Sequence, residues 1–380
     1  MRIKKKILRA LTLLLCLSSL CLAAAAANES PTMQTEKYMC ALAGCKTGEL
    51  LENREWVMAG NSASDWLAIV FALNDVPEKY DAYLRALEEH VTEQYAKKGC
   101  LDTVLATEYH RIALTVLALG GDPTAFGKDA DGRSVDLIAD GTWKFGSNMS
   151  RQGLNGLIYA LIALDAKGYE TPADAAIDRE WLIGQILDAQ NEDGGFGFVK
   201  GTSDVDLSAM TLTALAPYRE AHADEIEKTL SFLSGAQGED GQFFCFGDAN
   251  VESAAQVIIA LCSLGTDPER DARFIKNGVT LPQVLEQYRL ADGGYCHTLG
   301  DELDIIATEQ TLLALTAIDR LRAGSPGIYD FTAGKPLREN SGNTAKIAVT
   351  AAVVVLVGTA AVLVTTKLRK RGKADANDHE

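Results

Sequence analysis

Basic residues are in the minority in this chain, which carries 36 lysines and arginines against 52 aspartates and glutamates. The formal net charge is −16, and the clusters of basic residues lie at the two ends. An acidic surface is repelled by nucleic acid and by anionic lipid headgroups. The composition therefore argues against nucleic acid as a partner and predicts a well-solvated body.

The short cysteine and histidine spacings of zinc sites, C-x-x-C and H-x-x-x-H, are also absent. We therefore expect no metal cofactor. Six of the eight cysteines lie outside the first 27 residues, and these are Cys40, Cys45, Cys100, Cys245, Cys262 and Cys296.

The two ends of the chain have the patterns of targeting and membrane segments. Residues 1–27 combine a basic start, an apolar stretch and an alanine run, which is typical of a cleaved signal peptide. Residues 347–366 are uncharged and span about 30 Å as a helix, enough for a bilayer core. The basic residues of 367–380 favour a cytoplasmic tail. The sequence predicts a single-pass protein of the cell membrane with its body outside and its C-terminus in the cytoplasm.

Between these ends the chain repeats a unit of two helices joined through a glycine turn. Residues 181–218 show it most clearly, and residues 232–265 and 284–318 repeat it with a period near 50 residues. Residues 28–60 form a leader with degenerate first helices, and residues 324–346 form a polar linker. Residues 131–140 are predicted as a short outer helix.

Six of the predicted helices are apolar almost all round and alternate with amphipathic ones. A helix that is apolar on every side must be buried, whereas an amphipathic one faces solvent. We therefore predict an all-α fold, an α/α toroid of about six inner and six outer helices over residues 61–323, followed by one C-terminal transmembrane helix. Closure is favoured over an open solenoid because no polar cap follows the sixth unit.

The turns resemble the glutamine-tryptophan repeats of terpenoid cyclases and of protein prenyltransferase β subunits. The matching segments are Gln190 with Gly194-Gly195-Phe196, Gln237 with Gly241-Gln242-Phe243, and, with arginine in place of glutamine, Arg289 with Gly293-Gly294-Tyr295. The phrases at 203–218, 250–268 and 307–318 also resemble bacterial surface proteins that are similar to the cobalamin-binding α-domain of the transcobalamin and intrinsic-factor family. The resemblance implies the toroid and leaves function open between enzymes and binders.

Polar residues recur where each inner helix begins. Aligned on a shared Ala-Leu pair, these positions are Ser64, His110, Asn155, Asp206, Glu252 and Ile306. Such residues serve as helix caps or complement the helix dipole, but as a ring they would also line a polar pocket. The predicted ligand-binding residues are Asn155, Asp206, Glu252, Gln256, Glu309, Gln310 and His110.

Three functions remain open for the pocket that this ring of residues would line at one mouth of the toroid. The main expectation is a non-catalytic surface protein that binds a small molecule, cobalamin or another corrinoid by the second resemblance. The alternative is a class II terpenoid cyclase, which protonates a polyprene with the middle acid of a D-x-D-D motif. Asp206 would be that acid and Asp204 the first of the motif, although Leu207 replaces the fourth position. A structural or adhesive module that contacts a surface partner is the third.

The zinc chemistry of prenyltransferases is not expected. Those enzymes use an aspartate, a nearby cysteine and a distant histidine, and the segments at Cys245 and at Cys296 lack that order. Cys245 and Cys296 instead follow the turns of consecutive repeats. They are therefore the candidate disulfide of the extracytoplasmic body.

Overall fold

The computed structural model of the chain describes residues 29–333, except 246 and 292. The predicted signal peptide, membrane segment and basic tail lie outside the described residues, as does most of the predicted linker. Within residues 29–333, no helix is both long and apolar enough to cross a bilayer.

Helices dominate the described residues. The α-helices are α1 (Pro31–Ala43), α2 (Ser62–Leu73), α3 (Tyr80–Lys98), α4 (Ala106–Ala118), α5 (Leu137–Gly141), α6 (Leu154–Asp165), α7 (Arg179–Asp188), α8 (Val205–Leu215), α9 (Ala223–Ala236), α10 (Val251–Ser263), α11 (Leu281–Gln287) and α12 (Ile305–Arg322). Two antiparallel hairpins join β1 (Phe196–Val199) to β2 (Thr202–Asp204) and β3 (Phe244–Cys245) to β4 (Asp248–Ala249).

The six inner helices close into a ring. Each of α2, α4, α6, α8, α10 and α12 packs against the next, and α12 packs against α2. At this closing contact, the Asn74 side-chain amide donates to Thr316 Oγ1 at 2.7 Å. Most residues of these helices are buried, in keeping with their apolar sequences. The predicted toroid is thereby confirmed, and the space that the six helices enclose is called the lumen below.

A buried ion pair ties two inner helices to the outer helix between them. Arg111 Nε on α4 lies 2.9 Å from Asp65 Oδ2 on α2. The Tyr83 hydroxyl on α3 donates to the other oxygen of Asp65 at 2.6 Å. A buried charge is tolerated only when it is paired and hydrogen-bonded, and Asp65 has both kinds of partner.

The glycine turns hold each unit against the next outer helix. Gln190 donates through Nε2 to Gly194 O at 3.0 Å within its own turn, and to Glu225 O at 2.9 Å on α9. Gln237 repeats this arrangement with Gly241 O at 3.0 Å. The aromatic residue of the turn is fully buried in each case, as Phe196, Phe243 and Tyr295. The repeat pattern therefore encodes the contact between neighbouring units.

Two details differ from the sequence-based expectation. The hairpins are short strands in a fold predicted to be all-α, and they form where the chain reverses before α8 and before α10. The predicted outer helix over residues 131–140 forms only as Leu137–Gly141. Before it, Asp129 N and Arg133 O pair at 2.9 Å across a tight turn in which Gly132 has a φ of 79°.

Candidate functional site

The first turns of three successive inner helices, α8, α10 and α12, come together at one mouth of the lumen. Each of these helices begins with a side-chain cap. Asp204 accepts from Leu207 N at 2.8 Å, Asn250 from Ser253 N at 2.9 Å, and Asp304 from Ala307 N at 2.8 Å. Asp204 therefore has a structural role as the cap of α8. The next polar residue of that helix does not serve as its cap.

That next residue is Asp206, in the first turn of α8. Its Oδ1 is buried and has no hydrogen-bond partner among the described residues. Burial raises the pKa of this carboxyl, and polar contacts from Ser253 and Cys245 lower it in part. Burial and the charge of Asp206 in turn raise the pKa of the Cys245 thiol to about 12. The surroundings of Asp206 thus favour the protonated acid, the form that can donate a proton.

A histidine–carboxylate pair lies beside this acid at the same mouth. His297 Nδ1 is 2.8 Å from Glu252 Oε1 and 2.9 Å from Oε2. The hydrogen bond to Glu252 raises the pKa of His297, whereas burial raises that of Glu252 and His297 lowers it. The imidazole is half exposed, so this pair connects the mouth to solvent.

One helical turn deeper, the lumen contains a second polar layer. Gln256 on α10 donates to Gln310 Oε1 on α12 at 2.9 Å. Next to Gln310, Glu309 is 3% exposed, and its Oε2 is buried without a partner among the described residues. Burial, followed by the charges of Glu252 and Asp304, raises the pKa of Glu309 well above its ordinary value.

Aromatic rings cross the lumen at this depth. The rings of Trp66 on α2 and Tyr159 on α6 have centroids 6.0 Å apart. Because α4 separates these two helices in the ring, their side chains can meet only across the lumen. The Tyr159 hydroxyl lies 3.7 Å from the sulfur of Met210 on α8. These side chains form a floor about 6 Å, or four helical residues, below the level of Asp206.

The opposite mouth is covered by the segment that follows α12. This segment, residues 324–331, is called the strap. Arg320 Nε donates to Pro326 O at 2.8 Å at its start, and Phe331 N donates to Ala166 O at 2.7 Å just after α6. Since α12 and α6 lie on opposite sides of a six-helix ring, the strap spans the mouth. Tyr329 points into the lumen, where its ring lies 6.1 Å from that of Trp66 in a T-shaped contact.

The structure brings most of the predicted ligand-binding residues to this part of the lumen. Asn155 lies in the first turn of α6, beside α8, and its Oδ1 is buried without a partner among the described residues. His110 lies elsewhere, since its Nε2 is 2.6 Å from Gly141 O on α5. Burial lowers the pKa of His110 to about 4. Ligand binding by the other residues remains a prediction.

Sequence reasoning missed the aromatic floor and the strap. Tyr159 and Met210 stand four residues after Asn155 and Asp206, so the helical period already placed them below the polar ring. Trp66 offers no such signal, because it lies in a helix that is apolar on all sides. Tyr329 follows the last repeat, and nothing in the repeat pattern indicates that it returns to the lumen.

The predicted disulfide is not formed. Cys245 and Cys296 are both free thiols in the structure. Cys245 lies beside Asp206, whereas Cys296 is buried and donates to Tyr288 O at 3.3 Å. The equivalent turns of consecutive repeats point their thiols to different neighbours.

Comparison with known proteins adds independent findings. No protein-family model matches the chain. The chain is similar to the drimenyl diphosphate synthase of Streptantibioticus cattleyicolor, with 28% identity over 319 residues, or 75% of this chain and 58% of that enzyme. It is also similar to the drimenyl diphosphate synthase of Streptomyces showdoensis, with 25% identity over 227 residues, or 59% of this chain and 42% of that enzyme. The chain thus spans about half the length of the curated relatives it matches.

A solved structure supports the fold. Candida albicans protein geranylgeranyltransferase-I, complexed with GGPP, superposes with a TM-score of 0.50 and 12% identity, covering 80% of this chain and 96% of that one. At this identity the likeness concerns the α/α toroid alone.

These findings overturn the main functional expectation. Both curated relatives are named as enzymes of the terpenoid cyclase type, so the prediction of a non-catalytic binder, which leaned against enzymatic activity, is wrong. The resemblance to the transcobalamin family, and with it cobalamin as a ligand, finds no support in these comparisons. The relatives favour the cyclase alternative, and the structure identifies a terpenoid cyclase- and prenyltransferase-like toroid.

Proposed function

We propose that this chain is a terpenoid cyclase of the class II type, with Asp206 as its general acid. The observation that carries the proposal is the state of Asp206, a carboxyl with one buried, unpartnered oxygen at the mouth of a closed helical ring. The similarity to two drimenyl diphosphate synthases supports it. A linear prenyl diphosphate is the substrate class that this similarity suggests.

In such a reaction the protonated carboxyl of Asp206 transfers its proton to the terminal alkene of the polyprene. The alkene electron pair forms the new C–H bond, which leaves a tertiary carbocation on the substrate and a carboxylate on Asp206. Neighbouring alkenes close the rings, and the final cation loses a proton from an adjacent carbon. The overall change is an isomerisation, since one proton enters and one leaves.

The lumen supplies two conditions that this chemistry needs. Burial raises the pKa of Asp206, which increases the share of the proton-donating acid form at a given pH. Below it lie the aromatic rings of Trp66, Tyr159 and Tyr329, and the π electrons of such rings can stabilise developing positive charge. The strap closes the far mouth, so the substrate would enter from the side of Asp206.

The test is turnover by the full-length chain and by the Asp206→Asn variant. Farnesyl diphosphate and squalene serve as probes, and cyclised products are detected by mass spectrometry. Asparagine keeps the shape of the side chain but cannot supply the proton, so we expect product formation to fall by about 10²-fold or more. Asp319→Asn, which makes the same change at an exposed position of α12, is the control and should retain activity.

Two results would count against the proposal. Turnover that survives Asp206→Asn in a folded protein contradicts the role of Asp206 as the acid. A folded wild-type chain that forms no cyclised product from either probe contradicts the cyclase activity itself.

A further inference from the structure

A second group of reactive side chains lies outside the lumen, where α1 ends against the loop that precedes α3. Glu36 and Cys40 are four residues apart on α1 and therefore share one face of the helix. After α1 the chain turns at Gly44, which has a φ of 66°, and Cys45 N donates to Cys40 O at 3.0 Å. This Schellman-type ending turns Cys45 back against Cys40. Glu78 approaches from the loop before α3. The α1 cluster is the name used below for Glu36, Cys40, Cys45 and Glu78.

Three donor atoms of the α1 cluster are close enough to share one ion. A carboxylate oxygen of Glu36, the Cys40 sulfur and a carboxylate oxygen of Glu78 all lie within 4.8 Å of one another. Glu36 and Cys40 are buried, at 0% and 2% exposure. The Cys45 thiol lies against that of Cys40, outside this set of three but next to it, so it is the candidate for a fourth donor.

The negative charge of the cluster has no basic partner. Among the described residues, no lysine, arginine or histidine forms an ion pair with Glu36 or Glu78. Glu36 is 0% exposed, and a buried carboxylate without a basic partner is costly, so this arrangement calls for a proton or a cation.

One carboxylate oxygen of Glu36 supports the binding of a cation. Glu36 Oε1 accepts from Gly48 N at 2.7 Å and from the Cys40 thiol at 3.1 Å. The other oxygen, Oε2, is buried and has no partner among the described residues. One oxygen of this buried carboxylate is thus oriented by a backbone N–H group. The other oxygen is available to bind a metal ion.

We propose that the α1 cluster is a binding site for one zinc ion, with Glu36, Cys40, Cys45 and Glu78 as its ligands. Zinc takes four ligands in a tetrahedral arrangement and accepts thiolate and carboxylate donors together. The two thiols select zinc over calcium and magnesium, which prefer oxygen ligands alone. Binding displaces the protons of the thiols and of the carboxyl pair.

The surrounding backbone is already arranged as an outer shell. Leu50 N and Leu51 N donate to the two oxygens of Glu78 at 3.2 and 3.1 Å. Hydrogen bonds of this kind orient metal-binding carboxylates. An ion here would fasten α1 to the loop that leads into α3, so it would stabilise the first unit of the ring.

The experiment measures zinc bound by the full-length chain, purified under reducing and metal-free conditions and then given a slight excess of zinc. After desalting, native mass spectrometry should find one zinc per chain, and the midpoint of thermal unfolding should rise until a chelator is added. Cobalt(II) in place of zinc should give thiolate-to-cobalt charge-transfer absorption, which carboxylates alone do not produce.

Two variants of nearly unchanged shape, Cys40→Ser and Glu36→Gln, test the ligands. Loss of an outer-shell partner weakens metal binding by about 10–100-fold, so loss of a ligand should weaken zinc binding by more than about 100-fold. Cys100→Ser is the matched control, since Cys100 lies apart from the cluster near Lys98 O, and it should bind zinc as the wild type does.

A folded wild-type chain that retains no zinc overturns the proposal. So does zinc binding that survives Cys40→Ser, or a disulfide between Cys40 and Cys45 that forms while zinc is present. The readout is bound metal, so the result is independent of whether the lumen catalyses cyclisation.

Discussion

Glu309 holds a carboxyl group in the lumen with one oxygen buried and unpartnered. Burial raises its pKa, so the folded protein binds the proton of Glu309 more tightly than the unfolded chain does. Asp206 is in the same situation one turn nearer to the mouth, with Ser253 and Cys245 moderating the effect. Two acids whose pKa values are raised by burial are a destabilising feature at high pH, and such features cluster at functional sites.

The pH dependence of stability tests the state of Glu309. Its contribution to the free energy of unfolding is fully present below its unfolded pKa, near 4.3, and is lost as the pH rises through the folded pKa. Glu309→Gln does not titrate. The variant should therefore gain stability relative to the wild type as the pH rises from about 4 to about 8.

Urea unfolding at a series of pH values measures this difference. Glu192→Gln, at an exposed position, controls for the substitution itself. A difference between wild type and Glu309→Gln that stays constant over this range would falsify the neutral state of Glu309.

The glycine turn is the element that sets the contact between units. Gly194 has a φ of 87°, and a Cβ atom added there would lie 2.6 Å from Lys228 O on α9. Gly201, in the hairpin that follows, has a φ of 86°, but an added Cβ would meet nothing within 4 Å. The two glycines share the same backbone requirement and differ only in the space around them.

Alanine at each position separates backbone strain from steric contact. Gly201→Ala should destabilise the protein by about 1–2 kcal/mol, the cost of a left-handed conformation for a residue with a Cβ. Gly194→Ala should cost about 1–3 kcal/mol more, because the turn must also move away from α9. Urea unfolding of both variants measures the difference, and equal losses would show that the turn is not pressed against α9.

At the scale of the whole molecule, closure of the ring encloses the lumen and the strap covers one of its two mouths. The contact between α12 and α2 closes the ring, and Phe331 fixes the far end of the strap to Ala166. Tyr329 carries the strap into the lumen, where it meets Trp66 and Tyr159. The packing inside the lumen therefore depends on a residue beyond the last repeat.

Tyr329→Ala should remove the lower part of the floor and leave a cavity. Loss of a large aromatic side chain from a packed site costs about 3–5 kcal/mol. Tyr329→Phe keeps the ring and removes only the hydroxyl that lies against Tyr159, so it should cost about 1 kcal/mol. Thermal or urea unfolding distinguishes the two, and equal effects would mean that the ring of Tyr329 does not fill the lumen.

The amino-acid pattern was sufficient to predict the architecture. Six apolar helices, their amphipathic partners and the glycine turns each repeat about every 50 residues, so many local signals agree on one toroid. The polar ring was also predictable in part, because Asn155, Asp206 and Glu252 stand at equivalent helix starts. Identifying Asp206 as a proton donor required the tertiary structure. The sequence pattern is the same for an acid that caps a helix and for an acid that is buried at the start of a helix.

The remaining features depended on which distant residues the closed ring brings together. Trp66 contacts Tyr159 across the lumen, and Tyr329, which follows α12 in the chain, also contacts Trp66. Glu36 lies close to Glu78, which is in the loop before α3. The free thiols at Cys245 and Cys296, and the separation of His110 from the mouth, have the same origin. Repeat periodicity specifies how neighbouring helices pack, because each repeat contacts the next in the same way. Contacts across the lumen and at the first and last units have no such regularity, so only the tertiary structure decided them.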